Sequence, residues 1–486
     1  MQITLVCLLV ALSTYLLAVR RARYQIRDAT LRRYSPKYAV SVEEAKRTGK
    51  PRLSDPKTGL QGVHDAQRIL RAYAMHDMVF TVYSSLQFAL FITYGIPSIS
   101  SLLKRTSQLS DAANSPRRYV DTASLIASYL AYPLPALDLV DNSQPDPADE
   151  GLFEPDDPRS AIAMARTNFL HDRWRSKISR DDMLLTLCTF IEEPPKWVAL
   201  YEWRQLTELE KEASFAVWRH IGRCFRIADI PETREALAEW REEYESRHMV
   251  FAESNQQVGG ETVELLLWHV PKFFHPFARK VVVSLMYERL RLSMGYEKPS
   301  PWIYTLTYTL LRLRANFIKH LMLPRKTPKT IVPFDHSKDY FTSVDLPAVC
   351  PASGARASEG RTCPVGGHAI AEKDSGTAVP KGPRMTNTWF DVMPMYSLPA
   401  KRWSARWVYE RVCFVDPAER WGAAKWRAST LAAAAPGIKA PVEGLGGFRL
   451  EELGPAGLER KGIDEIKREA ERLNGGRPLK GPWAIP

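Results

Sequence analysis

Apolar residues recur every three or four positions through most of the first two thirds of the chain, most clearly over 161–227. Ala163, Thr167, Leu170, His171, Trp174 and Ile178 fall on one helical face there, with Arg166 and Arg173 on the opposite, outward one. Ser179-x-x-Asp182 has the form of a capping box. It opens a helix with Met183, Leu184, Leu187 and Ile191 on its apolar side, which Pro194-Pro195 should stop. Thr207-x-x-Glu210 is a second capping box, opening a helix with Leu209, Ala213, Ala216, Val217 and Cys224 at core spacing. The same rhythm predicts a helix over 235–248, with Ala236, Leu237, Trp240 and Tyr244 aligned. Further helical segments follow at 263–270, 281–292 and 302–323, the last with Arg312, Arg314 and Lys319 on its polar side.

Two stretches break this pattern. Residues 78–103 carry no charge and read either as a membrane span or as a buried helix that breaks at Gly95 and Pro97 and restarts; the break favours the second. Residues 138–158 are acidic and proline-rich, a loop leading into the central segment. No stretch shows sustained period-two alternation and no repeat is visible. The body from 65 to 323 is therefore expected to be all-α. Beyond 323 Pro, Gly, Ser and Ala dominate, and 462–473 is the one late helix the pattern supports, so 324–486 is expected to be an irregular extension that wraps the body or trails from it.

Residues 3–19 are uncharged and apolar, at the short end of the roughly 17–25 needed to cross a bilayer. No Lys or Arg precedes them and RRAR follows, so an uncleaved anchor at 1–23 is expected, with the bulk of the chain on the cytoplasmic side. A signal peptide or a merely buried first helix are the alternatives. The basic segment 24–64 suits an anionic leaflet. It accounts for much of the net charge of +12, and no zinc-finger, RNP or homeodomain pattern accompanies it, so no nucleic-acid partner is expected. With 45% hydrophobic and 25% charged residues the chain is globular, and six cysteines in 486 residues make no disulfide framework.

Candidate chemistry starts at His171. On an apolar face an imidazole needs a partner, and from spacing alone a carbonyl-bonded core histidine is the ordinary reading. A structural zinc site needs several ligands, whereas haem iron needs one proximal imidazole from the protein. Thr207 and Glu210 are first an N-cap pair, Arg204 could meet a haem propionate or an acidic neighbour, and Thr106 could cap a helix. Cys350, Cys363 and His368 lack the close pairing of common zinc folds, and His269 could face a pocket. No G-x-S-x-G, Walker loop, G-x-G-x-x-G after a strand or H-E-x-x-H is present, so hydrolase, NTPase, Rossmann and zincin readings lose their usual support.

NFLHDRW at 168–174, DDMLLTLCTF at 181–190 and YEWRQLTELEKEASFAVWRHIGRCFRI at 201–227 resemble the family of ER-bound oxygenases of mycophenolic acid biosynthesis, which shares a catalytic domain with bacterial rubber oxygenase. The likeness runs over about 72–323, and more weakly to GGFRLEELGP at 446–455. The resemblance implies a globin-like helical domain holding one haem b. Dioxygen would cleave a carbon–carbon double bond of a lipophilic, prenylated or terpenoid substrate, from an endoplasmic reticulum membrane with the catalytic domain facing the cytosol. It implies His171 as the iron ligand and Thr106 and Thr207 as pocket residues; with Arg204, which could also contact the haem, these two threonines are the catalytic candidates. LLKRT at 102–106 stands where the family has a distal lysine and threonine, with Arg105 rather than lysine before Thr106. The competing reading is a non-catalytic membrane-surface protein that binds lipid or serves as a scaffold.

Overall fold

A computed structural model describes residues 2–110, 114–144, 154, 156–267, 270, 272–333, 340–341, 384–385, 448–459 and 461–485. Cys350, Cys363, His368 and His269 lie outside the described residues. The body is all-α. The apolar N-terminal run forms α1 (Gln2–Arg23), and the basic segment folds into α2 (Gln25–Tyr34) and α3 (Val42–Thr48). Tyr34, Tyr38, Ala39 and Leu53 are buried, so this segment is tied to the body through its aromatic and apolar residues.

The helices that position the site follow. α4 (Gly59–Arg71) runs directly into a six-residue π-helix, Ala72–Asp77. Then come α5 (Val79–Thr93), α6 (Pro97–Thr106), α7 (Ser115–Ala131), α8 (Arg159–Asp172), α9 (Arg180–Tyr201) and α10 (Glu208–Cys224). α5 packs along α9, α4 along α10, and α7 along α8. The uncharged stretch breaks at Gly95–Pro97, and α5 and α6 meet at 93°, with much of α5 in the core. α11 (Arg234–His248), α12 (Glu253–Leu266), α13 (His275–Ser284), α14 (Glu288–Ser293) and α15 (Pro301–Leu321) complete the body. A second apolar core forms where Phe88, Phe91 and Ile92 of α5 meet Val258 and Val263 of α12 and Leu290 of α14.

Three sequence expectations are corrected. α9 does not stop at Pro194-Pro195 but continues to Tyr201. Each proline removes a backbone donor, yet Glu193, Pro194, Trp197 and Val198 are buried, and this packing holds the helix through the break. Ala236 is exposed, and the buried face of α11 is instead Leu237, Arg241 and Glu245; Arg241 donates to Glu245 at 2.6 Å and to Glu192 at 3.0 Å. Arg166, expected on an outward face, is fully buried: its guanidinium donates to the carbonyls of Leu453 (2.6 Å), Leu458 (2.8 Å) and Lys461 (3.2 Å).

Those carbonyls belong to the C-terminal extension, whose last stretch wraps the body. α16 (Ile463–Leu473) lies along α8, and Phe448, Leu450, Trp483 and Ile485 are buried. Gly462 has φ +72° and lies against the Phe169 ring, so a side chain there would be strained and would collide. Tyr340–Phe341 and Arg384–Met385 form a two-residue antiparallel pair, Tyr340 opposite Met385.

Candidate functional site

His171 lies in the last turn of α8. The residue is half-buried as a whole, but its Nδ1 is fully covered and has no hydrogen-bond partner. Burial pushes the imidazole down to about 4, and the charges of Arg118 and Arg175 push the same way. The ring is thus neutral at physiological pH. Other covered histidines differ in their bonding: His64 Nε2 donates to the Leu134 carbonyl at 2.9 Å and His220 Nε2 to that of Pro135 at 2.8 Å. The His76 ring bonds the Arg325 backbone, and His275 Nε2 bonds the Val270 carbonyl at 2.9 Å. The Nδ1 atoms of His76 and His220 are likewise covered and without a hydrogen-bond partner, so what sets the half-buried His171 apart is that no hydrogen bond is found for either ring nitrogen among the described residues, and the carbonyl-bonded reading of it is not what the structure records.

α7 brings the rest of the site together. Arg118, half-buried, donates from Nη1 to Thr122 Oγ1 at 2.6 Å and has no ion pair with a carboxylate among the described residues. Its charge reaches His171 and also Tyr94 and Tyr129, whose hydroxyls burial pushes up. The next residue, Tyr119, lines a narrow slot between α5 and α7. Leu86 and Leu90 of α5, Ala123 and Ile126 of α7, and Met75 of the π-helix form its apolar walls. Gln87 donates to the Tyr119 hydroxyl across it. A π-helix carries one residue more per turn than an α-helix and recurs at functional sites.

Arg204 is buried, and Thr207 stands beside it half-buried. The Arg204 guanidinium donates to Glu210 Oε1 at 2.7 Å and Oε2 at 2.8 Å, and to Asp77 Oδ2 at 3.0 Å. Thr207 forms the expected capping box: its hydroxyl accepts from the Glu210 amide at 3.3 Å, and its own amide donates to Glu210 Oε2 at 2.8 Å. Asp77 is the last residue of the π-helix, so this buried cluster fixes the turn from which Met75 reaches the slot. Burial pushes the Asp77 carboxyl up. Arg204 therefore meets acidic neighbours, in the interior rather than at the surface. Thr106 ends α6 and donates to the Leu103 carbonyl at 2.8 Å, with Lys104 and Arg105 exposed beside it. No bond among the described residues joins Thr106 to His171, Arg204 or Thr207.

Sequence reasoning missed α7 with Arg118, Tyr119 and Thr122, and it missed the π-helix. For α7 a signal existed: Pro116 in the first turn, then Tyr119, Ala123, Ile126 and Leu130 at spacings of four, three and four. For the π-helix none did, because one extra residue in a single turn leaves no mark in the spacing of AYAMHD.

An imidazole ligand to haem must be neutral and must not be tied up in another bond, and His171 meets both conditions. The apolar slot is lined from α5, α7, the π-helix and residues 329–331 and by no residue of α8, so it lies along α7 and does not enclose His171. The fit to a haem therefore rests on the imidazole alone. Among the described residues no group of three or more His, Cys, Asp or Glu could hold a bare metal ion.

Comparisons with known proteins agree with the residues quoted above. The family described as ER-bound oxygenase mpaB/B'/Rubber oxygenase, catalytic domain, matches residues 157–315, from just before α8 to the middle of α15. The ER-bound oxygenase mpaB' of Penicillium brevicompactum is 28% identical over 433 residues, covering 86% of this chain and 84% of that protein. The ER-bound oxygenase mpaB of Penicillium roqueforti is 33% identical over 246 residues, covering 48% of this chain and 76% of that protein.

Proposed function

We propose a function from one premise: the chain belongs to the family of the ER-bound oxygenases mpaB and mpaB' and the rubber oxygenases, and is an oxygenase. On our reading it is a membrane-anchored, haem-dependent enzyme that cleaves or oxidises a carbon–carbon double bond of a lipophilic, prenylated or terpenoid, metabolite with dioxygen. The observation that carries the haem reading is the neutral, covered and unbonded imidazole of His171. His171 would hold the iron of a haem b, and Arg118, a cation without a carboxylate partner among the described residues, would meet a haem carboxylate. Arg204, expected in that role, is already engaged by Glu210 and Asp77, and we assign it with Thr207 to positioning the π-turn. A haem bound there would supply dioxygen binding and activation.

This chain's own residues do the rest. Leu86, Leu90, Ala123 and Ile126 exclude water and accept an isoprenoid tail by burial of apolar surface. The Gln87–Tyr119 bond places a polar contact across that slot where a substrate oxygen could be oriented. Cleavage of a double bond by dioxygen balances without a reductant: the C=C bond breaks and each carbon leaves as a carbonyl carrying one oxygen atom. Location at the endoplasmic reticulum is supported by the names of the relatives, and a cytosolic catalytic body by Arg20, Arg21 and Arg23 in the last turn of the apolar α1. Family membership weighs against the non-catalytic lipid-binding reading.

The test is turnover of a prenylated phenol by the full chain in membranes under oxygen-18 gas. Labelled carbonyl products that depend on haem supply support the proposal; unlabelled products, or turnover that is indifferent to haem, remove it.

A further inference from the structure

α15 is oriented the wrong way round for a helix on a water-facing protein. Its two arginines turn toward the body: Arg312 donates to the Glu202 carbonyl and Arg314 to Glu202 Oε1, both at 3.0 Å. Ile303, Thr307 and Ala315 form its buried stripe. A second stripe, Trp302, Leu310, Leu313, Phe317 and Leu321, runs the length of the helix at steps of three, four and eight, and these side chains are 43–58% exposed. Scattered exposed leucines are ordinary, but a contiguous apolar ridge marks an interaction surface.

Three observations name what covers it. The ridge is continuous with the N-terminal helix, because α1 packs on α15, the Tyr15 hydroxyl donates to the Leu321 carbonyl at 2.8 Å, and Arg23 donates to the Met322 carbonyl. It continues at the other end onto α13, where Phe277 stacks on Trp302 at 6.0 Å, beside the exposed Phe273 and Phe274. Exposed Arg20, Arg21, Arg325 and Lys326 cluster in sequence around the α1–α15 junction, the charge that anionic headgroups attract.

We propose that α15, with the Phe273–Phe277 corner, lies in the cytoplasmic leaflet of the membrane that α1 crosses, so that the body is seated on the bilayer rather than tethered above it. The inference rests on the reading of α1 as a bilayer anchor. Residues just after α15 give it a consequence for the site: Lys329, Thr330 and Ile331 line the slot, and the Lys329 amide donates to the Met75 carbonyl at 2.8 Å. Seating α15 in the leaflet brings this rim of the slot to the lipid boundary, where a membrane-dissolved substrate can enter without crossing water.

Photo-crosslinking in the full chain tests it. A benzoylphenylalanine replaces in turn Leu9 in α1, Leu313 and Phe317 in α15, Phe273, and the exposed Glu239 of α11. Each variant is reconstituted in vesicles of phosphatidylcholine and phosphatidylserine. The proposal expects lipid adducts at Leu313, Phe317 and Phe273 as at Leu9, and none at Glu239. Adducts at Leu9 with none at Leu313 and Phe317 overturn the seating and leave the anchor standing, and no adduct even at Leu9 overturns the anchor reading itself. Adducts of Leu313 and Phe317 to peptide, within the chain or to a second copy, overturn the lipid as the occupant.

Discussion

His171, Arg204 and Arg166 are three side chains whose chemistry depends on what surrounds them rather than on their type. For His171, burial lowers the folded-state affinity for a proton to about 4, below the unfolded value of 6.5. Between those values the unfolded chain binds more protons than the folded one, so stability rises with pH across the window and is lost as pH falls from 6.5 to 4. His64 and His220, also held at about 4, add to the same slope. Thermal denaturation of the haem-free protein from pH 7 to 4 should show this decline, and His171→Ala should make it shallower; an unchanged slope would mean the ring is solvated. For Arg204 the expectation is structural. Removing one partner of a buried ion pair typically costs about 3–5 kcal/mol, so Arg204→Ala should unfold at clearly lower denaturant than Arg118→Ala. Equal losses would place Arg204 outside the core. The sequence could show that Thr207 and Glu210 form a cap, but the apolar face drawn through His171 ends with the helix at Asp172, leaving Trp174 exposed and His171 half-buried. The sequence could not show that the Arg204 charge is buried between two carboxylates, because Asp77 lies 127 residues away.

At the scale of elements, what was visible in the chain was set by local rules and what was hidden by tertiary packing. The caps at Ser179 and Thr207 are local: Thr207 closes its full box with Glu210, whereas Ser179 accepts from the Asp182 amide while the Asp182 carboxylate accepts from Ser98 and Tyr244 instead of completing the box. Pro194-Pro195 follows the local rule for a helix end and fails as one, because the buried side chains on either side of it hold α9 together. Arg166 reads as solvent-facing in a helical wheel, yet three carbonyls from 453–461 enclose it; the partner is nearly 300 residues away. The C-terminal stretch is therefore part of the body that surrounds α8. Arg166→Ala leaves three carbonyls without their donor and should raise amide hydrogen exchange across 448–473 while that of α9 stays unchanged. Equal exchange in the two proteins would show that the tail is held by apolar contacts such as Phe448 and Ile466 alone.

For the whole molecule, one helix, α1, projects a largely exposed apolar surface, and a cationic run follows it. The expected topology puts the N-terminus in the lumen. A glycosylation acceptor fused before Met1 should gain a glycan in microsomes, and one fused after Pro486 should not; the reverse pattern would turn the body to the lumen. The exposed apolar helix itself was evident in the sequence as an uncharged apolar run. The apolar ridge on α15 was not, since periodicity gives a helix its stripes but not which of them meets the protein.

The central claim is that His171 holds a haem, and the absorption spectrum of the purified full chain supplied with hemin tests it most directly. The account predicts a Soret band in the natural protein that is lost in His171→Ala while the helical circular dichroism of the two is the same. A folded natural chain without that band, or an alanine variant that keeps it unaltered, would contradict it.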